Sequence, residues 1–167
     1  NKAKTDIEKI LSNLGFKNAG LAQTTYSNKI IGFILTFLGV LKVFFTVSSG
    51  DVVVIQYPLK KYYTFVCSMI HFKKGKVVTI IHDLGTFRRK KLTANEEIKR
   101  LSCSDILIVH NDKMKAWLQQ HGYMKPMVCL EIFDYLSSSV NNEERVFDSK
   151  SIKVIYAGAL SYRKNKY

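Results

Sequence analysis

The chain has 167 residues, with 26 Lys and Arg against 13 Asp and Glu, a formal net charge of +13. Hydrophobic residues at 47% and aromatics at 12% exclude intrinsic disorder, because that much apolar surface offsets the entropy of ordering. Two prolines and nine glycines exclude collagen-like or proline-rich linker material, and three scattered cysteines, Cys67, Cys103 and Cys129, exclude a self-contained disulfide scaffold and a C-x-x-C zinc site. The basic excess points to an anionic partner, with nucleic acid, anionic lipid and phosphorylated small molecules all eligible.

Residues 1–16 are polar and read as an amphipathic helix with Ile7, Ile10, Leu11 and Leu14 on one face, not as a signal peptide. Residues 30–47, IIGFILTFLGVLKVFFTV, carry a single charge, Lys42. Their length is at the short end for a membrane span, with Lys42 placed to snorkel. The alternative is a helix buried or docked against a sheet, and the pattern that follows favours it. Contact with a membrane in the interface plane is compatible with that alternative.

Continuous apolar runs then recur at Val52–Ile55, Val77–Ile81, Ile106–Val109, Met127–Leu130 and Val154–Tyr156. Unbroken rather than alternating runs predict strands buried on both faces, as in a parallel sheet. Between them Tyr62–Phe72, Thr93–Cys103 and Asn111–His121 have helical character. Thr93 with Glu96 forms a capping-box pattern, and Gly122 is placed to end the last helix. Strand and helix alternating in this way predict an α/β, doubly wound, mostly parallel sheet of Rossmann-like form. The polar stretch 137–144 is the best linker, so residues 1–150 read as one domain. Residues 151–167 read as the opening strand and loop of a second, truncated domain.

In open α/β sheets ligands bind beyond the carboxyl ends of the strands. There this chain has Gln56 and Tyr57; His82 and Asp83; His110, Asn111 and Asp112; and Glu131 to Tyr135. His82-Asp83 reads either as a histidine beside a turn-forming aspartate or as a general base or substrate ligand. Asn111 or Asp112 is most simply an N-cap. His71 and His121 read as partly exposed structural residues, and the spacing of histidines and carboxylates matches no metal motif. The run Arg88-Arg89-Lys90-Lys91 is either a solvated loop or a patch facing phosphate or membrane. No P-loop or G-x-G-x-x-G occurs; Gly158, Ser161, Arg163 and Lys164 form a weaker phosphate-cradle candidate.

Taken in order, Gln56-Tyr57-Pro58, Thr79 to Leu84, Ser104 to Asn111, Met114 to Leu118 with Gly122, Ile132 to Tyr135, and Ile155 to Ser161 resemble the amino-terminal half of bacterial GT-B glycosyltransferases. The similarity is to the galactofuranosyltransferase-like branch, which includes streptococcal glucosyltransferases acting on serine-rich adhesins. The resemblance implies two Rossmann-like domains facing a cleft, with this one on the acceptor side. It implies transfer of a hexosyl group, galactofuranosyl or glucosyl, to a glycan, glycolipid or glycoprotein, with no metal and no cofactor beyond the nucleotide-diphosphate sugar donor. His82 and Asp83 are then the catalytic candidates, Gln56, Tyr57, Arg88, Arg89 and Asn111 the acceptor-binding ones, and Gly158, Ser161, Arg163 and Lys164 the donor-binding ones. Basic side chains near the diphosphate replace a metal electrostatically. The expected setting is cytoplasmic, in cell-surface polysaccharide synthesis, with peripheral contact at the inner face of the membrane and homo-oligomers both compatible. Nucleic acid is disfavoured, since the basic residues match no RNA-binding signature and no helix-turn-helix stands out. The competing reading is a noncatalytic basic α/β domain that binds anionic membrane or nucleic acid.

Overall fold

A computed structural model describes residues 2–21, 29–59, 62–89, 92–131 and 136. The candidate residues Gly158, Ser161, Arg163 and Lys164, and the expected strand 154–156, lie outside them. Two helices come first, α1 (Lys2–Asn13) and α2 (Lys29–Thr46). They are followed by β1 (Val52–Tyr57), α3 (Tyr63–Phe72), β2 (Lys76–Ile81), α4 (Gly85–Arg89), α5 (Ala94–Leu101), β3 (Ile106–Val109), α6 (Asp112–Gln120) and β4 (Met127–Cys129). The four strands form one parallel sheet in the order β1-β2-β3-β4. This is a Rossmann-like α/β fold.

The register explains the packing. Ile55 pairs with Thr79 and Tyr57 with Ile81, while Thr79 pairs with Leu107 and Val109 with Cys129. Alternate residues share a face, so these line one side of the sheet. Ile55, Tyr57, Val77, Ile81, Leu107 and Val109 form one buried cluster with Tyr63, Val66 and Ile70 of α3, Ile98 and Leu101 of α5, and Leu118 of α6. Right-handed crossovers in a sheet that grows in one direction place those helices on a single face. The opposite face holds Gln56, whose side-chain amide donates to the Lys4 carbonyl at 3.3 Å, so α1 lies there. A helix therefore reaches this face over Gln56, but the double-sided burial predicted from the apolar runs is uneven, since Val52 and Val128 on the same face are exposed.

The helix starts follow local chemistry. Thr93 accepts from the Glu96 N–H, and the Glu96 carboxylate accepts from the Thr93 N–H, a complete capping box. Asn111 accepts from the Met114 N–H at 2.9 Å and caps α6. Gly122 follows the end of that helix at φ 92°, a conformation glycine adopts without Cβ strain. Two expectations change. In α1 only Ile7 of the predicted apolar stripe is buried; Ile10 and Leu14 are exposed, and Leu14 lies past the helix end at Asn13. The segment Arg88-Arg89 closes a short helix, α4, instead of lying in a loop.

Segment 30–47 docks as a helix. Val40, Val43 and Val47 enter the core, and the Lys73 ammonium at the end of α3 donates to the carbonyls of Phe44 and Val47. A cation there satisfies the unpaired carbonyls of the last turn of α2. Among the described residues no helix is long and apolar enough to cross a membrane.

At the amino ends of β2 and β3, the Asp105 carboxylate accepts from the Val77 N–H at 2.7 Å and pairs with His71 at 2.9 Å. Its partial burial favours the neutral acid, but the Val77 N–H and His71 outweigh that and hold its pKa below the usual carboxylate value. The ionised group therefore stabilises the fold above the unfolded-state value of about 3.9, and that contribution is lost as pH falls through the native value. Asp105→Ala should cost about 1–3 kcal/mol near neutral pH, because the Val77 N–H loses its acceptor. In thermal unfolding the deficit should shrink below about pH 4.

Candidate active site at the strand carboxyl ends

The carboxyl ends of β1, β2 and β3 bring together Gln56, His82, Asp83 and His110. The backbone sets the spacing: the His82 N–H donates to the Tyr57 carbonyl at 3.0 Å, continuing the β1–β2 ladder one residue past β2. The Gln56 side chain then bridges two elements. It donates to the Lys4 carbonyl, and its Oε1 lies 2.8 Å from His82 Nε2. An amide that donates on one side accepts on the other, so the His82 ring carries its proton on Nε2 and its lone pair on Nδ1. The His110 ring stands 6.3 Å from that of His82, centroid to centroid.

The electrostatics keep this imidazole neutral. Burial lowers the His82 pKa, Lys4 and His110 lower it further, and Asp83 opposes them. Lys4 is itself shifted down by burial, against Glu8 and Asp83. Lys4 of α1 thus belongs to the electrostatic surroundings of the site. Its 78-residue separation from His82 leaves no trace in a local motif.

Tyr57 is a correction to the sequence reading. Expected at an acceptor contact, it is only 2% exposed and donates its hydroxyl to Glu97 at 3.0 Å. The alternation of β1 turns Gln56 toward the site and Tyr57 into the core. Burial, together with the Glu97 carboxylate, raises the Tyr57 pKa far above the usual phenol range. Asn111 is exposed but its side chain caps α6. The backbone of Arg88 and Arg89 ends α4, and their side chains lie outside the described residues. Asp83 and His82 are both half-buried at the strand end.

Glu97 is the residue that sequence reasoning missed. It is fully buried and accepts from the N–H of Gly85 at 2.6 Å, the N–H of Thr86 at 2.8 Å and the Thr86 hydroxyl at 2.5 Å, besides Tyr57. It therefore fastens the segment that follows His82-Asp83 to β1 and α5. The first two N–H groups of α4 are already satisfied by this carboxylate. Gly85 permits the approach: a Cβ there would sit 3.3 Å from Glu97 Oε1 and 3.2 Å from a Leu92 methyl. The available signal was an acidic residue adjoining Ile98 and one turn before Leu101, on the inward stripe of α5.

Comparison with known proteins places this geometry in a family. The model for the glucosyltransferase 3-like N-terminal domain matches residues 1–132, which contain every described helix and strand. The beta-1,6-galactofuranosyltransferase WbbI of Escherichia coli strain K12 is 32% identical over 117 residues, covering 70% of this chain and 34% of that protein. The chain thus spans about a third of the length of this curated relative.

Two outcomes follow from the site. Glu97→Ala should cost about 2–4 kcal/mol in denaturant unfolding, since several buried donors lose their acceptor together. In an NMR titration, His82 should show a pKa below the ordinary 6.5 or so. The unfolded chain then binds the proton more readily than the native one, so His82 contributes a loss of stability as pH falls below about 6.5. His82→Gln should remove that part of the acid-side loss.

Proposed function

This chain belongs to the glucosyltransferase 3-like family, through the N-terminal domain at residues 1–132, and on that premise we propose that it is the acceptor-side domain of a glycosyltransferase. The reaction moves a hexosyl group, galactofuranosyl or glucosyl, from a nucleotide-diphosphate sugar to the hydroxyl of a glycan, glycolipid or glycoprotein. The observation that carries the reading is His82: a neutral, oriented imidazole at the strand carboxyl ends, within a domain matched to that family.

The chemistry suits the residues. The His82 imidazole accepts the proton of the acceptor hydroxyl as the hydroxyl oxygen bonds to the anomeric carbon and the bond to the nucleoside diphosphate breaks. Gln56 fixes the tautomer and ring orientation, acting as a positioning residue. Asp83 favours the imidazolium that forms. Burial, with Lys4 and His110, favours the unprotonated resting ring, so it enters the reaction as a base. Donor binding is assigned to Gly158, Ser161, Arg163 and Lys164, whose basic members would neutralise the diphosphate without a metal and with no cofactor beyond the donor. A nucleotide-sugar donor sets the work on the cytoplasmic side.

The test is turnover by the intact protein across a panel of nucleotide-sugars and saccharide acceptors, read as nucleoside diphosphate release. His82→Ala should lower kcat/KM by about 10²–10⁴-fold. Replacing Arg163 and Lys164 together by Ala should weaken donor binding and leave acceptor affinity unchanged. Absence of turnover across the panel, or wild-type rates in His82→Ala, would overturn the reading.

A further inference from the structure

Helix α2 is apolar on every side, although only one side meets the domain. Val40, Val43 and Val47 are committed to the core, and Lys73 ties the last turn to α3. On the remaining surface Ile30, Phe33, Ile34, Phe37, Leu38 and Phe45 are exposed, Phe45 by 79%. The patch continues onto α3, where Phe72 is 81% exposed. Between the two helices lies an open groove of about 490 Å³, walled by Phe37, Leu41 and Phe44 on one side and Phe65, Met69 and Phe72 on the other. A contiguous apolar surface of this kind marks an interaction site, and a helix apolar all round is stable only when covered.

Charge identifies the cover. From Lys17 to Lys76 the sequence holds eight lysines and one acidic residue, Asp51; α2 and α3 contain no Asp or Glu. Lys42 and Lys74 are exposed. A second copy docked through the same face would bring the exposed Lys42 and Lys74 toward their counterparts with no acidic residue of α2 or α3 to pair them, which like-charge repulsion opposes. An anionic bilayer complements both features. It takes the apolar side chains below the headgroups and pairs the ammonium groups with lipid phosphates. The helix does not qualify as a span, so it lies in the interface plane, with the exposed Lys42 at the level of the headgroups.

We propose that the exposed face of α2, together with the adjoining edge of α3, docks the protein on anionic lipid bilayers. The test uses the intact protein and sedimentation with vesicles, with no donor or acceptor present, so it stands apart from any result on sugar transfer. The protein should pellet with vesicles of phosphatidylcholine mixed with phosphatidylglycerol and much less with phosphatidylcholine alone, and added salt should release it. Phe33→Ser combined with Phe37→Ser should lower binding about tenfold or more. Lys42→Glu combined with Lys74→Glu, which leaves the apolar face untouched, should also lower it. Circular dichroism of each variant reports that the fold is kept. Failure to pellet with anionic vesicles would overturn the proposal. So would equal binding by all variants, or a homodimer that Phe33→Ser/Phe37→Ser converts to monomer without any lipid binding by the parent.

Discussion

The Glu97 carboxylate holds the strand-end region of this domain together. It is fully buried, and its two oxygens collect a phenol from β1, two backbone N–H groups and a hydroxyl from the start of α4. A charge in the interior is tolerated only when hydrogen bonds replace its water, and here four of them do. The consequence is positional. Tyr57 sits at the end of β1, Gly85 three residues beyond His82, and Glu97 itself on α5, so one carboxylate ties the segment after the His82-Asp83 pair to β1 and α5. Hydrogen bonds to a charged acceptor are stronger than neutral ones, which suits a loop that must hold a ring in one orientation.

On that base the sheet performs a sorting step. The alternation of β1 sends Tyr57 inward to Glu97 and Gln56 outward to His82. Adjacent residues thus serve the two layers of the site, one supporting and one orienting. Lys4 of α1 adds a backbone acceptor for Gln56 and a positive charge that lowers the His82 pKa. The result is an oriented imidazole with a lowered pKa, presented by parallel strands whose carboxyl ends are the customary place for ligands.

Much of this was legible in the sequence. The unbroken apolar runs mark all four described strands, although burial is deep on one face only and Val52 and Val128 on the other are exposed. Thr93 with Glu96, and Asn111 before α6, mark helix starts through side-chain chemistry that operates locally. His82, Gln56 and Asp83 stand out by position after an apolar run, but the bond between Gln56, expected at an acceptor contact, and His82 does not show there. What escaped depends on long-range geometry. The β1 run Val52–Ile55 does not show that Gln56 and Tyr57 continue the strand, so the inward turn of Tyr57 stayed hidden. Glu97 lies next to the capping residue Glu96, and the two differ only in which face of the helix they occupy. The contribution of Lys4 depends on α1 lying across the face that carries Gln56. The α1 stripe misled because the apolar repeat continues to Leu14 while the helix ends at Asn13, and because α1 buries only its Ile7 end, leaving Ile10 exposed.

Glu97 clamps the segment that follows His82-Asp83, and amide hydrogen exchange measures that. In the wild-type protein the amides of Gly85 and Thr86 should be protected by the carboxylate. In Glu97→Ala they should exchange fast while the amides of Val77 to Ile81, bonded within the sheet, keep their protection relative to them. Unchanged exchange at Gly85 and Thr86 in that variant would contradict the account.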